Sequence, residues 1–192
     1  MNAAPSAPAA PTLPAHVVVI GLGGNLGSPT ALLARFSAAA ASLAHLGQIA
    51  AAPVYRTAAI GGPDQPDYLN SALRLDLRDP APSPTELLTT LQAIEDQLGR
   101  LRPAPRWSAR TIDLDLLLFG RQEVELPGPP ALTVPHPRLL QRRFALLPTI
   151  DLLGPDVMAP GAAVTLGAAL AALDASVQPV WPTELRIAHA QA

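Results

Sequence analysis

The spacing of apolar and polar positions changes several times along the chain, and each change marks an element. His16 to Ile20 is dominated by β-branched residues and predicts a buried strand running into the glycine cluster Gly21, Gly23, Gly24 and Gly27, read as a tight strand-to-helix turn. Ser28-Pro29 then predicts a helix start, because proline suits a first position whose N–H has no partner. Leu32, Phe36, Leu43 and Leu46 recur at helical spacing, and Gly47 is expected to close that helix in a left-handed conformation. Gln48 to Tyr55 reads as an edge strand despite Pro53, and Arg56 to Asp67 as a long polar loop. From Tyr68 to Leu77 the alternation predicts a second long strand, with Leu69, Leu73, Leu75 and Leu77 on one face and Asn70, Arg74 and Asp76 on the other.

Ser83-Pro84-Thr85-Glu86 is a capping box, and Leu87, Leu91, Ile94 and Leu98 form the apolar stripe of the helix that follows, ended by Gly99. Thr111 to Phe119 predicts a strand with Leu114, Leu116 and Leu118 on one face and Asp113 and Asp115 on the other. The order strand, helix, strand, strand, helix, strand is a split βαβ pattern. It predicts an α+β fold with a ferredoxin-like βαββαβ core: an antiparallel sheet, helices on one face, and the other face left for a ligand. Beyond Gly120 we expect a C-terminal helical extension: a short helix near Pro137 to Gln141, an apolar segment near Phe144 to Leu147, and an alanine-rich helix from about Val164 to Leu173.

Composition narrows the chemistry. The 192 residues carry a net charge of −2, which excludes a strongly basic nucleic-acid reader and suits one domain. There is no cysteine, so no disulfide, thiol nucleophile or thiolate metal site is possible. All 13 basic residues are arginine, which excludes lysine Schiff bases and lysine-bearing phosphate loops. Residues 1–15 read as a disordered Ala/Pro leader before a single domain over 16–192, without the features of a secretory or transit peptide. Gly161 to Leu173 is too short to span a bilayer, so we expect a cytoplasmic protein without membrane or nucleic-acid partners.

Two features carry candidate chemistry. Asp113 and Asp115 project from one strand face roughly 7 Å apart, close enough to share hard cations with phosphate oxygens; magnesium suits such a pair. Taken alone, the pair also describes a solvated strand face. Just before it, residues 99–110 hold Arg100, Arg102, Arg106 and Arg110 in a loop longer than a helix-to-strand connection requires. Guanidinium forks bind phosphate oxygens bidentately, so the two features together point to a polyphosphate and metal site.

These segments, in order, resemble the 6-hydroxymethyl-7,8-dihydropterin pyrophosphokinase family of folate biosynthesis. The resemblance runs from about Val17 to Leu147 and rests on G-L-G-G-N-L-G, Y-R-T with D-Q-P-D-Y-L-N, L-G-R-L-R, R-W-S-A-R-T-I-D-L-D-L-L-L-F-G and L-T-V-P-H-P. It implies transfer of diphosphate from ATP to the pterin hydroxymethyl group with release of AMP, and two Mg²⁺ ions at Asp113 and Asp115. Arg100 and Arg110 are then expected at the phosphates as catalytic residues. Arg102, Arg106, Trp107, Ile112, His136 and Arg142 are expected around the nucleotide. For the pterin, the resemblance implies stacking on Tyr68 and Phe144, recognition of its amide edge by Asn70, completion by Thr57 and the backbone from Ala58 to Ile60, and an acidic helix position at Glu95. It also implies that the loops Arg56 to Asp67 and Arg100 to Thr111 close over the substrates.

Many family members carry Gly-Pro where Ser108-Ala109 stands, prolines at Ala58-Ala59 and tyrosine at Pro137; none of these departures removes an implied metal ligand or phosphate contact. The expected partners are ATP and a dihydropterin, for a monomer or weak homodimer. Two rival readings are a different Mg²⁺-dependent nucleotidyl- or phosphotransferase, and a non-catalytic ferredoxin-like ligand-sensing module.

Overall fold

A computed structural model describes residues 10–59, 65–102 and 108–188. The first half runs β1 (Val17–Gly24), α1 (Pro29–Leu43), β2 (Gly47–Ala51), β3 (Tyr55–Thr57), β4 (Tyr68–Leu77) and α2 (Pro84–Gln97). The second runs β5 (Asp113–Phe119), β6 (Val124–Leu126), β7 (Leu132–Val134), α3 (Arg143–Leu153), α4 (Leu166–Ala171) and β8 (Val180–Pro182). The main sheet has the order β5-β1-β4-β3-β8, with β2 also on β4, and every pairing in it is antiparallel.

Local chemistry sets the helix starts as expected. Ser28 Oγ accepts from the Ala31 N–H at 3.2 Å, and Ser83 and Glu86 form the reciprocal capping box, with the Ser83 N–H donating to Glu86 Oε2 at 2.7 Å. α1 and α2 bury Phe36, Leu87, Leu91 and Ile94 against Ile20, Leu73, Leu75 and Leu116 on one sheet face.

Several expectations are corrected. Gly47 does not close α1 in a left-handed conformation. A short 3₁₀ turn, Ala44–Leu46, ends the helix, and Gly47 opens β2 with extended backbone at φ 167°. It is needed for proximity: a Cβ there would lie 2.1 Å from the Asp76 carbonyl oxygen. The edge strand expected from Gln48 to Tyr55 splits into β2 and β3 around Pro53, which has no N–H for a ladder. β5 contains a bulge: Val19 pairs with Leu118 and Ile20 with Leu116, so Leu117 is the extra residue. In consequence Leu118 does not share a face with Leu114 and Leu116 but packs on the opposite one.

That opposite face, expected to be left for a ligand, is half covered. α3 and the turn before it pack Leu139 and Ala145 against Val17, Val19 and Ala72. Of the expected leader, residues 10–15 are not disordered: Leu13 is only 2% exposed in this second core, and its carbonyl accepts from Arg121 Nε at 3.1 Å. Residues 1–9, together with Ile60, Arg106, Trp107 and the centres of both long loops, lie outside the described residues, so the expected loop closure does too.

Candidate active site

The uncovered half of the second face owes its shape to one strand. Along β1 the residues facing α3 are Val17, Val19, Gly21 and Gly23, so the side chains shrink to nothing where the helical cover ends. Gly21 lies between Asp115 on β5 and Ala72 on β4; Gly23 lies between Asp113 and Asn70. Two strand spacings, about 10 Å, therefore separate the carboxylates from Asn70 across a floor of bare backbone. Over that floor opens a cleft of about 1450 Å³, above the roughly 300–1,000 Å³ of an ordinary small-molecule pocket and so large enough for two ligands.

One wall is anionic and heavily paired. Arg110 Nη1 donates to Asp113 Oδ2 at 2.7 Å, and Arg100 pairs with both Asp113 and Glu95. Arg102 pairs with Glu95 and Asp96. Glu95, 2% exposed, also accepts from the Leu114 N–H at 2.7 Å, so it fastens two loop arginines to the start of β5 from behind the cleft wall. Burial pushes the Glu95 carboxyl upward, against the Leu114 N–H and the Arg100 charge, which favour the anion. No described residue donates to Asp115; burial, with the charges of Asp113 and Glu95, pushes it up to about 6. An all-oxygen pair, one member short of donors, fits magnesium with phosphate and water completing its shell.

The facing wall is cationic. Burial and the neighbouring Arg142 and Arg138 push His136 down to about 4, and its Nδ1 accepts from the Arg138 N–H at 3.1 Å, so the neutral ring carries its proton on Nε2. Burial and Arg138 likewise weaken the hold of Arg142 on its proton, as expected where cations gather without enough anions. At the far end Asn70 Nδ2 donates to Thr57 Oγ1 at 2.9 Å, both residues buried, while Tyr68 and Phe144 stand half-buried at the sides. The Arg142 guanidinium lies 5.4 Å from the Phe144 ring centre.

The cleft thus brings together Arg100, Arg102, Arg110, Asp113, Asp115, His136 and Arg142 with Thr57, Ala58, Tyr68, Asn70 and Phe144. Ile112 does not line it: the whole residue is buried in the first core. Several contributors went unread in the sequence, Arg138 and Asn25 among them. Arg138 lines the cleft, signalled only by its place in the basic run with Arg142 and Arg143. Asn25, 1% exposed, accepts from the Arg110 N–H at 2.9 Å and donates to Gln65 Oε1 and the Pro66 carbonyl at 3.0 and 3.1 Å, tying the two long loops together. It sits inside the glycine-rich stretch that reads as a mere turn.

Comparison with known proteins agrees with this arrangement. Residues 19–154 match the family model 7,8-dihydro-6-hydroxymethylpterin-pyrophosphokinase. A 2-amino-4-hydroxy-6-hydroxymethyldihydropteridine pyrophosphokinase of Synechocystis is 38% identical over 170 residues, covering 87% of this chain and 80% of its own. Its counterpart from Pseudomonas aeruginosa is 39% identical over 143 residues, covering 74% and 83%. Among solved structures, an HPPK-DHPS in complex with substrates superposes at a TM-score of 0.58 with 12% identity, and wild-type Plasmodium falciparum HPPK-DHPS at 0.58 with 14%. Those chains are much longer, and this one spans 43% and 40% of them.

Sequence and fold together define a kinase that uses ATP, built on an antiparallel α+β sheet. The chain belongs to the 7,8-dihydro-6-hydroxymethylpterin-pyrophosphokinase family, whose members transfer a pyrophosphoryl group to hydroxymethyldihydropterin in folate synthesis.

Proposed function

We propose that Asp113 and Asp115 would hold two Mg²⁺ ions around the ATP phosphates while Asn70, Thr57, Tyr68 and Phe144 hold the pterin across the glycine floor. The observation that carries this is the row Asp113–Gly23–Asn70, which sets a metal-type carboxylate and an amide-reading side chain one ligand width apart on one sheet face. Metal ions there supply charge neutralisation for the triphosphate. Asn70 offers a donor and an acceptor to the flat amide edge, and the two aromatic side chains offer faces for stacking.

In the reaction the hydroxymethyl oxygen bonds to the β-phosphorus, the bond from that phosphorus to the α–β bridging oxygen breaks, and AMP leaves with the electron pair while the hydroxyl proton is released. Arg100 and Arg110, already held by Asp113, stabilise the charge that develops on the transferring group, with Arg102 and Arg106 in support. His136 and Arg142 hold the nucleotide, and Trp107 covers the substrates. We expect a monomer or weak homodimer acting in the cytoplasm; light scattering and cell fractionation test both points.

The test of the site is AMP release with ATP, Mg²⁺ and 6-hydroxymethyl-7,8-dihydropterin, against a control without pterin. Asp113→Asn and Asp115→Asn are each expected to lower the pterin-dependent rate by about 10²–10³-fold in a folded protein. Either variant at full rate would remove the carboxylates from the mechanism.

A further inference from the structure

The family match ends at residue 154, yet the chain beyond it returns to the cleft. β8 adds an antiparallel strand to β3, pairing Val180 with Thr57 and Trp181 with Arg56. The Arg56 guanidinium lies 5.1 Å from the Trp181 ring centre, and Thr183 Oγ1 donates to the Val54 carbonyl at 2.7 Å. Just before β8, Gln178 reaches the other wall. Its Oε1 accepts from the Arg143 N–H at 3.0 Å, and its Nε2 donates to the Gln141 carbonyl at 3.1 Å. One side chain thus serves as the missing N-terminal cap of α3, whose first turn carries Phe144 and is preceded by Arg142. The same short segment is joined to β3, which carries Thr57, and to α3, which carries Phe144.

Val177 immediately precedes the Gln178 attachment. It is 71% exposed, and a lone exposed valine is ordinary. Its position is not: it borders the main cleft and also a side cavity of about 360 Å³ walled by Thr57, Ala58, Ala59 and Phe144. An apolar side chain beside an aromatic wall, next to a residue fastened to the start of α3, is a surface waiting for a flat ring.

We propose that residues 176–183 form a further wall of the pterin slot, in which Val177 packs against an edge of the bound ring and Gln178 is a positioning residue that sets Phe144 and Arg142 against β3. The proposal rests on the assignment of that end of the cleft to the pterin.

Steady-state kinetics of the full chain test it. Removing the two methyl groups that the bound ring would cover in Val177→Ala is expected to raise the pterin KM about 3- to 10-fold, and Val177→Asp more, with kcat and the ATP KM within twofold of the parent. Gln178→Ala is expected to raise the KM of both substrates, because it loosens the turn bearing Arg142 together with Phe144. Gln178→Glu, which keeps an acceptor for the Arg143 N–H, is expected to recover part of that loss. Phe144→Ala serves as the control for the site itself. If it raises the pterin KM while both Val177 variants stay within twofold of the parent, the wall is overturned and the site stands. If Phe144→Ala also leaves the pterin KM unchanged, the assignment of the slot fails. Gln178→Ala indistinguishable from the parent overturns the positioning role.

Discussion

Glu95 offers a separation of stability from catalysis, because it does two jobs from one buried place. In Glu95→Ala the Leu114 N–H loses its acceptor inside the protein, which costs about 1–3 kcal/mol. Loss of one buried methylene adds about 0.8 kcal/mol. The pairs with Arg100 and Arg102 add little more, since both guanidiniums reach water and keep Asp113 and Asp96. A total of about 2–4 kcal/mol corresponds to a fall in Tm of roughly 5–12 °C for a domain of this size. Glu95→Gln is different: its amide oxygen still accepts from Leu114, and removing a buried charge relieves the desolvation that pushes this carboxyl up. Its Tm is expected within about 3 °C of the parent. Both variants lose the anionic anchor for Arg100 and Arg102, so kcat for AMP release is expected to fall about tenfold in each, less than the roughly 10²–10³-fold lost when such a donor is removed outright. Scanning calorimetry and the AMP assay on the same samples decide. An alanine variant within 2 °C of the parent refutes the buried hydrogen-bond argument, and a glutamine variant with full kcat refutes the anchor.

Three other perturbations follow from the same geometry. Asn25→Ala strips the Arg110 N–H and the 65–66 segment of their shared partner, and is expected to cost about 2–3 kcal/mol in urea unfolding and to lower kcat; a variant with parental stability would show that the loops are held otherwise. His136 sits at about 4 in the folded chain against 6.5 when free, so the unfolded chain takes up a proton that the native state refuses. Its contribution is complete above pH 6.5 and lost as the pH falls towards 4. Denaturant titrations of His136→Gln from pH 4.5 to 7.5 should therefore show a flatter decline on the acid side than the parent; an identical decline contradicts the shift. Gly47→Ala places a Cβ 2.1 Å from the Asp76 oxygen, and is expected to cost about 3 kcal/mol, seen as a lower Tm; parental Tm would mean that β2 shifts freely.

Much of the fold was legible because local signals agreed with the global pattern. Ser28 and Ser83 mark helix starts by chemistry confined to four residues, and the alternation over Tyr68–Leu77 places each side chain on the face it occupies. The site was legible where residue types carry the chemistry: the aspartate pair meets Arg100, Arg102 and Arg110 in one cleft. What escaped reading depends on distant partners. Nothing near Leu117 announces a bulge, because the extra residue is defined only by its register against β1. Gly47 looks like any helix-ending glycine until the Asp76 carbonyl beside it is known. Leu13 lies in an Ala/Pro stretch whose composition resembles disorder, and only the groove beside Leu139 and Ala145 gives it a place. Asn25 and Gln178 act through hydrogen bonds to residues 85 and 35 positions away, which no window along the chain can contain.

The glycine floor bears on how such a cleft could be blocked. A compound resting on Gly21 and Gly23 touches main chain, which a point mutation alters only by adding bulk. An added Cβ at residue 21 would stand 3.2 Å from Leu117, and one at residue 23 would stand 3.3 Å from Asn70 Oδ1. The floor thus has little freedom to drift away from an inhibitor without crowding Leu117 or Asn70, and resistance would have to arise at the walls.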